Sequence, residues 1–581
     1  MLQIILTLAI FVAAVIPMGT YMYHIAAGKK TFADPFFDKV DNGIYRVCRI
    51  DRKGMNWKQY TVSLLMTNAV MIFAGYGVLR LQQILFLNPN GIEGMESTLS
   101  FNTIISFMTN TNLQHYSGES GLTYLSQMLV IIFMMFTSAA TGYSACMAMC
   151  RGFAGKRKDL GNFYEDMVRV TTRILLPWSL IFGLVLIWQG SPCTFDGNFA
   201  VETIQDQFQS FAMGPVAALE IIKHLGTNGG GFLGANSTTP WENPTIISNI
   251  VELISMMILP GACVLTFGKM TMERRKERKA AAAASGTVAV AEKEPIFGRQ
   301  GRSVFAAMAI LFVAGLCICV SAERAGNPRL EAVGLNQDMG SMEGKEVRFG
   351  VDQSALFTTG TTSFTTGTVN NMHDTLTPLG GLVPMLHMML NVVFGGLGVG
   401  LMNMLMYAIL TVFICGLMVG RTPEYLGKKI EGKEMKLVVL VLIVHPLLIL
   451  GFSALAVCVP EGLAGITNPS FHGLSQVLYE YASSAANNGS GFEGLADNSY
   501  FWNITTGLAM FFGRYIAIIA QLAIAGSLLS KKRVRESAGT MRTDNVMFTV
   551  LLVFFVYIFA ALTFFPALAL GPIAEHLTLW F

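Results

Sequence analysis

The sequence predicts an all-α polytopic membrane protein with about ten transmembrane helices, arranged as four helix–pore loop–helix repeats plus one extra helix at each end. Three observations predict it. Apolar residues make up 52% of the chain and charged residues only 13%, where a soluble domain carries about 25% charged residues. The apolar residues gather in runs of about 20, the length that crosses a hydrocarbon core. Between those runs, four Thr/Asn/Gly-rich turns recur, each preceded by a short, moderately apolar segment.

The apolar runs lie near 3–26, 60–86, 122–150, 173–190, 246–270, 303–322, 382–418, 435–458, 502–530 and 545–570. The first has no basic n-region and exceeds a typical h-region, so it reads as a retained helix rather than a cleaved signal. The seventh is too long for one simple span. It is interrupted at Gly395-Gly396-Leu397-Gly398-Val399-Gly400, which reads as a broken helix. The chain then divides into a first helix with its cytoplasmic loop (1–58), repeats at 59–150, 171–272, 303–418 and 435–530, a linker at 273–302, and a last helix with the C-terminus (543–581).

Orientation follows from the lysines and arginines. Of 40, 33 fall in five loops, 28–58, 151–173, 269–302, 421–436 and 531–542, whereas 88–121 and 459–501 contain none. The positive-inside rule makes the five basic loops cytoplasmic and, with an even number of helices, both termini extracytoplasmic. The run Glu273–Lys279 and the alanines 280–284 read as a solvated, surface-exposed linker. A net charge of +3 provides no overall basic field for nucleic acid. The nine cysteines form no CxxC pair, so neither a zinc site nor a disulfide framework is indicated, and they read as small apolar filler.

The extracytoplasmic stretches carry the informative pattern. Segment 100–108 leads into Thr109-Asn110-Thr111-Asn112, segment 215–226 into Thr227-Asn228-Gly229-Gly230-Gly231, segment 363–366 into Gly367-Thr368-Val369-Asn370-Asn371, and segment 474–481 into Ala485-Ala486-Asn487-Asn488-Gly489-Ser490. Irregular backbone within a membrane is tolerated only where protein buries it or it lines a wet cavity. A helix entering from outside and ending midway points its negative C-terminal end at the membrane centre. The turn that follows can then offer carbonyl oxygens to a dehydrated cation. Glycine permits the necessary backbone angles, and Thr and Asn add oxygens that suit hard monovalent ions rather than soft transition metals. The four external stretches together hold 19 acidic and 5 basic residues, which concentrates cations at the outer face. One such turn is ordinary. Four, each flanked by spans, read as a selectivity filter.

Several of these residues carry a resemblance. Thr227-Asn228-Gly229-Gly230-Gly231-Phe232 with Ala235-Asn236-Ser237 and Pro240-Trp241-Glu242-Asn243-Pro244-Thr245 closely resembles the potassium-binding subunit (KdpA) family of the bacterial Kdp potassium-transporting P-type ATPases. So do the stretches 111–119, 371–381 and 485–490, and the resemblance spans essentially the whole chain. It implies a potassium ion as transported ligand, held around Thr111 and Asn112; Thr227, Asn228 and Gly229; Val369, Asn370 and Asn371; and Asn487, Asn488 and Gly489.

No G-x-x-x-x-G-K-[ST] phosphate loop and no DKTG phosphorylation sequence occurs. The resemblance therefore implies a separate P-type catalytic subunit that hydrolyses ATP, a small single-span accessory subunit, and a bacterial plasma-membrane location. The alternative is a stand-alone four-repeat potassium transporter or channel, which needs no partner. An open pore would dissipate the gradient a pump creates, so the direct route inward must be closed. Two features are suited to that: the glycine-rich break with Gly395, Gly396, Gly398 and Gly400, and Arg514, set in the ninth apolar run. A cation inside a membrane is costly and functional by default. His115 and His373 read as braces of the filter loops, His387 and Asn403 as interhelical hydrogen-bonding groups, and Arg80 as a snorkelling or paired residue.

Overall fold

The computed structural model describes residues 2–272, 295–534 and 540–581. The linker alanines and the run Glu273–Lys279 lie outside the described residues. Among those described, ten helices are long and apolar enough to cross a membrane, from Leu2–Ala27 to Val546–Trp580. They match the ten apolar runs in order. Two short antiparallel hairpins, Phe199–Glu202 with Phe208–Phe211 and Glu424–Tyr425 with Lys428–Lys429, are the described β-structure.

Each repeat is a span, a short pore helix and a second span. The pairs of spans are Trp57–Ile84 and Tyr124–Ala154, Phe163–Gln189 and Ile246–Thr271, Arg299–Ala332 and Gly396–Met418, and Gly432–Cys458 and Tyr500–Ser530. The pore helices between them are Ser97–Met108, Val216–Leu225, Gly350–Ser363 and Phe471–Ala486. Boundaries follow local chemistry. Asn56 and Gln59 close one span's start with reciprocal side-chain bonds, and Thr245 and Ser248 do the same for another.

The broken seventh run is observed. A helix over Pro378–Leu390 stops, and a second resumes at Val399–Met418. Between them Asn391, Phe394 and Leu397 hold left-handed backbone beside Gly395 and Gly398. Non-glycine residues in that region store strain and persist only where their surroundings over-determine them. Here Phe394 stacks on Phe364, with ring centroids 4.7 Å apart and planes within 4°, and Phe11 and Phe305 meet its ring edge-on.

Small residues let helices approach closely. A side chain at Gly19 would put its Cβ 2.8 Å from Leu265 Cβ, so the first span lies tight against Ile246–Thr271. On the basic face, the helix Asp34–Val47 directs Asp34, Asp38 and Asp41 at Arg173, at 2.8, 2.7 and 2.6 Å. Its other side exposes Phe36, Val40 and Val47. That division is the pattern of a helix lying in the membrane interface.

Arg173 is almost fully buried, so its removal leaves Asp41 buried and uncompensated. Arg173→Met should cost about 3 kcal/mol and release Asp34–Val47 locally. Amide hydrogen exchange confined to that helix, together with a lowered melting temperature, checks it.

Candidate ion-binding site

The four pore helices end alike. The residue after the last turn, or the last itself, flips to the left-handed region: Asn110 (φ 64°), Thr227 (48°), Thr365 (49°) and Asn487 (57°). The next amide reaches back five residues. Thr111 donates to Ser106 O at 2.9 Å, Asn228 to Lys223 O at 2.7 Å, Thr366 to Thr361 O at 2.8 Å and Asn488 to Ser483 O at 2.9 Å. This shared bond defines four equivalent corners: Asn110-Thr111-Asn112, Thr227-Asn228-Gly229, Thr365-Thr366-Gly367 and Asn487-Asn488-Gly489.

The corners converge. A Cβ on Gly229 would lie 3.0 Å from Thr111 O, 3.2 Å from Asn488 O and 3.0 Å from Gly489 Cα. A Cβ on Gly367 would collide with Asn488 O, and one on Gly489 with Thr111 O. The approach of backbone to backbone is possible only because three corners end in glycine, and Gly367 (φ 93°) and Gly489 (φ 105°) also use angles that side chains resist. Main-chain oxygens from different repeats therefore share one small volume.

The asparagines brace that ring from corner to corner. Asn110 Nδ2 donates to Gly226 O and Thr227 O at 3.1 and 2.9 Å. Asn228 Nδ2 donates to Asn110 Oδ1 at 2.6 Å and, at 3.3 Å, to Asn112 Oδ1. Asn487 Nδ2 donates to Thr111 Oγ1 at 2.9 Å, and Asn488 Nδ2 to Thr361 O at 3.1 Å. Asn236 Nδ2 holds Gly367 O at 2.8 Å.

Of the residues expected to hold the ion, the structure brings Thr111, Asn112, Thr227, Asn228, Gly229, Asn487, Asn488 and Gly489 to these corners. It places Val369, Asn370 and Asn371 beyond them. Val369 N donates to Asn236 O at 3.1 Å, Asn370 Nδ2 to Asn249 Oδ1 at 3.0 Å, and Asn371 Oδ1 accepts from Thr358 Oγ1 at 3.0 Å. The third corner is Thr365-Thr366-Gly367. The resemblance implied Val369, Asn370 and Asn371, which lie four residues further along the chain. Distance from the end of the pore helix was the signal that would have found it.

The broken seventh run lies directly under the ring. Gly395 N donates to Ser363 O at 2.9 Å, and Leu397 N to Thr227 Oγ1 at 3.1 Å. A Cβ on Gly396 would sit 2.7 Å from Thr227 Oγ1 and 2.8 Å from Thr365 O. Gly398 backs onto Cys146 and Cys263, and Gly400 onto Phe394 O. Gly142 of repeat 1 leaves the space that Leu397 of repeat 3 and Arg514 of repeat 4 border. A Cβ there would lie 2.5 Å from Leu397 Cβ and 2.8 Å from Arg514 Nη2. Arg514 is 6% exposed, forms no hydrogen bond or ion pair among the described residues, and borders a cavity with Asn391, Asn403, Asn487 and Gln521.

Above the ring, His115 Nδ1 pairs with Asn503 Oδ1 at 2.7 Å and Nε2 with Glu480 Oε1 at 3.3 Å, with Asp497 at 3.8 Å. Burial alone would lower its pKa, but the Asp497 and Glu480 carboxylates raise it to about 9. His373 Nδ1 pairs with Tyr479 Oη at 2.6 Å, and Tyr479 with Ser490 at 2.8 Å. Both histidines brace filter segments against repeat 4. His387 bonds Ser363 Oγ at 2.7 Å, and Asn403 bonds Asn391 O at 2.9 Å. Arg80 bonds Met95 O.

Ten spans, four pore helices and a shared ring of main-chain oxygens define a four-repeat pore-loop protein of the membrane. The chain belongs to the KdpA family (potassium-transporting ATPase A subunit), whose model matches residues 5–577. It is 56% identical over 579 residues to the potassium-transporting ATPase potassium-binding subunit of Clostridium acetobutylicum, covering 100% of both chains. It is 52% identical over 578 residues to that of Geobacillus kaustophilus, covering 99% of both. Among solved structures it is similar to the potassium transporter TrkH from Vibrio parahaemolyticus, with a TM-score of 0.49, 14% identity, and 89% and 96% of the two chains covered.

The raised pKa of His115 has a stability consequence. Imidazolium is favoured in the folded state, so its contribution is complete below the unfolded value near 6.5 and is lost as pH rises through about 9. Melting temperatures of the purified protein should fall across that window, and His115→Gln should flatten that part of the profile. An unchanged profile in the variant would refute the assignment.

Proposed function

We propose that this chain binds and selects extracytoplasmic potassium at the four-cornered ring and passes it to the ATP-hydrolysing P-type subunit of a membrane complex. The observation that carries the reading is the convergence of Thr111 O and Asn488 O on Gly229, Gly367 and Gly489. Main-chain oxygens from two repeats, beside glycines of the other two, suit a dehydrated monovalent cation. The four corners would supply its ligands, with Thr365-Thr366-Gly367 as the third. The family supports potassium as the ion and a catalytic partner, since the chain carries no phosphate-binding or phosphorylation motif. A small single-span subunit would complete the complex, with both termini of this chain extracytoplasmic.

The glycine-rich loop and Arg514 act as the barrier inward. The loop caps the ring from below, and an unpaired guanidinium beyond it repels a cation that passes. The ion then has to leave sideways to the partner rather than straight into the cell.

Gly489→Ala should weaken apparent potassium affinity of the assembled complex by roughly a hundredfold, about 2.7 kcal/mol. Potassium-dependent ATP hydrolysis reads this directly, and an unaltered affinity would sink the filter assignment. Arg514→Gln should let potassium leak through vesicles that contain this chain without its catalytic partner. Vesicles as tight as those with the unaltered chain would remove Arg514 from the barrier. ATP-independent uptake by the unaltered chain alone would favour a stand-alone transporter instead.

A further inference from the structure

Above the ring, three side chains of metal-ligating type meet from separate segments. His115 lies on the stretch after the first corner, Glu480 on the pore helix Phe471–Ala486, and Asp497 on the loop before the span Tyr500–Ser530. One ligand atom from each lies within 4.8 Å of the other two. His115 Nε2 stands 3.3 Å from Glu480 Oε1 and 3.8 Å from Asp497 Oδ2. Zinc bonds of about 2.0–2.1 Å in a tetrahedron set neighbouring ligand atoms about 3.3 Å apart. Two of the three spacings are therefore already close to those of a metal shell.

The imidazole is oriented for that role. Asn503 Nδ2 donates to Thr98 Oγ1 at 3.2 Å, so its Oδ1 is the atom that faces His115 Nδ1, at 2.7 Å. Nδ1 carries a proton and donates it. Nε2, beside the two carboxylates, is then the nitrogen that can offer its lone pair. Metal-bound histidines are fixed by such a bond on the other ring nitrogen.

Charge favours a divalent ion. The His115 and Glu480 side chains are 0% and 1% exposed. With His115 protonated, two carboxylates face one positive charge, and one negative charge is left over. The stretches 88–121 and 459–501, which supply all three residues, contain no lysine or arginine to cancel it. A divalent ion on a neutral imidazole balances both carboxylates, which a site shielded from water requires. Asp497, with its side chain 27% exposed, opens the group to the outer medium. The comparable group Glu220, His224 and Glu252 lacks this property, because Lys223 Nζ lies 2.8 Å from Glu220 and its ammonium repels a metal.

We propose that His115, Glu480 and Asp497 form a binding site for a divalent transition metal of the zinc class, with water as the fourth ligand. Three protein ligands and one open position are an ordinary zinc set. The imidazole disfavours magnesium and calcium, which take oxygen ligands. On binding, the metal replaces the Nε2 proton, which leaves to the outer medium beside Asp497. The ion then ties the segment after the first corner to the pore helix of repeat 4. Such a site does not depend on what the ring below it holds.

The test titrates the full-length purified chain, carrying no histidine tag and stripped of metal by a chelator, with zinc and with cobalt. One zinc should bind per chain, cobalt should give the visible absorption of a tetrahedral site, and excess calcium should leave zinc in place. Asp497→Asn keeps the shape and should weaken zinc binding by about tenfold or more, as should Glu480→Gln. Asn503→Ala removes only the bond that orients the ring and should weaken it by about ten- to a hundredfold. Melting temperatures without zinc check that each variant folds. Should Glu480→Gln fail to fold, the part-exposed Asp497 decides the matter. Unaltered zinc affinity in Asp497→Asn, calcium bound as tightly as zinc, or no saturable zinc uptake by the unaltered chain overturns the assignment.

Discussion

Irregular backbone inside a membrane has no water to satisfy it, and this protein places four such segments side by side. At each one the helix stops and an amide bonds five residues back, and the carbonyls of Thr111 and Asn488 approach glycines of other repeats. Those carbonyls have to be gathered and held by something. The spans, the asparagine braces and the buried ion pairs serve that end. Without the four turns they would be a bundle of apolar helices with nothing to surround.

Holding is done across repeats rather than within them. Asn110 and Asn228 tie corner 1 to corner 2, Asn236 ties 2 to 3, Asn488 ties 3 to 4, and Asn487 ties 4 back to 1. Each donor is spent on a neighbour, so the ring closes only when all four repeats are in place. The outer braces, His115 to Glu480 and His373 to Tyr479, repeat the principle a layer above. Cross-repeat bonding makes the ring stiff, and a stiff ring of oxygens can discriminate between ions of similar charge and different size.

Beneath the ring the same physics holds the broken seventh run. The loop between the two halves of the seventh run spends its amides on Ser363 and Thr227, within the filter's own scaffold. Its strained residues are pinned by the Phe364–Phe394 stack. Arg514 reaches the same place from repeat 4 with no counter-charge among the described residues. In the proposed reading, selection above and repulsion below are built next to each other.

Much of this was legible in the sequence. Ten spans, the break at 395–400 and three of the four turns follow from hydropathy and glycine placement, because these express how single segments meet water or lipid. The third corner did not follow. The resemblance placed it around Val369, Asn370 and Asn371, whereas the turn forms at Thr365-Thr366-Gly367, because the end of a pore helix is set by packing between repeats. Nor did the sequence disclose that the asparagine amides brace neighbouring repeats. The sequence by itself determined which segments enter the membrane and which turns interrupt them. Only the tertiary structure decided which oxygens converge, since that depends on contacts between residues more than a hundred positions apart.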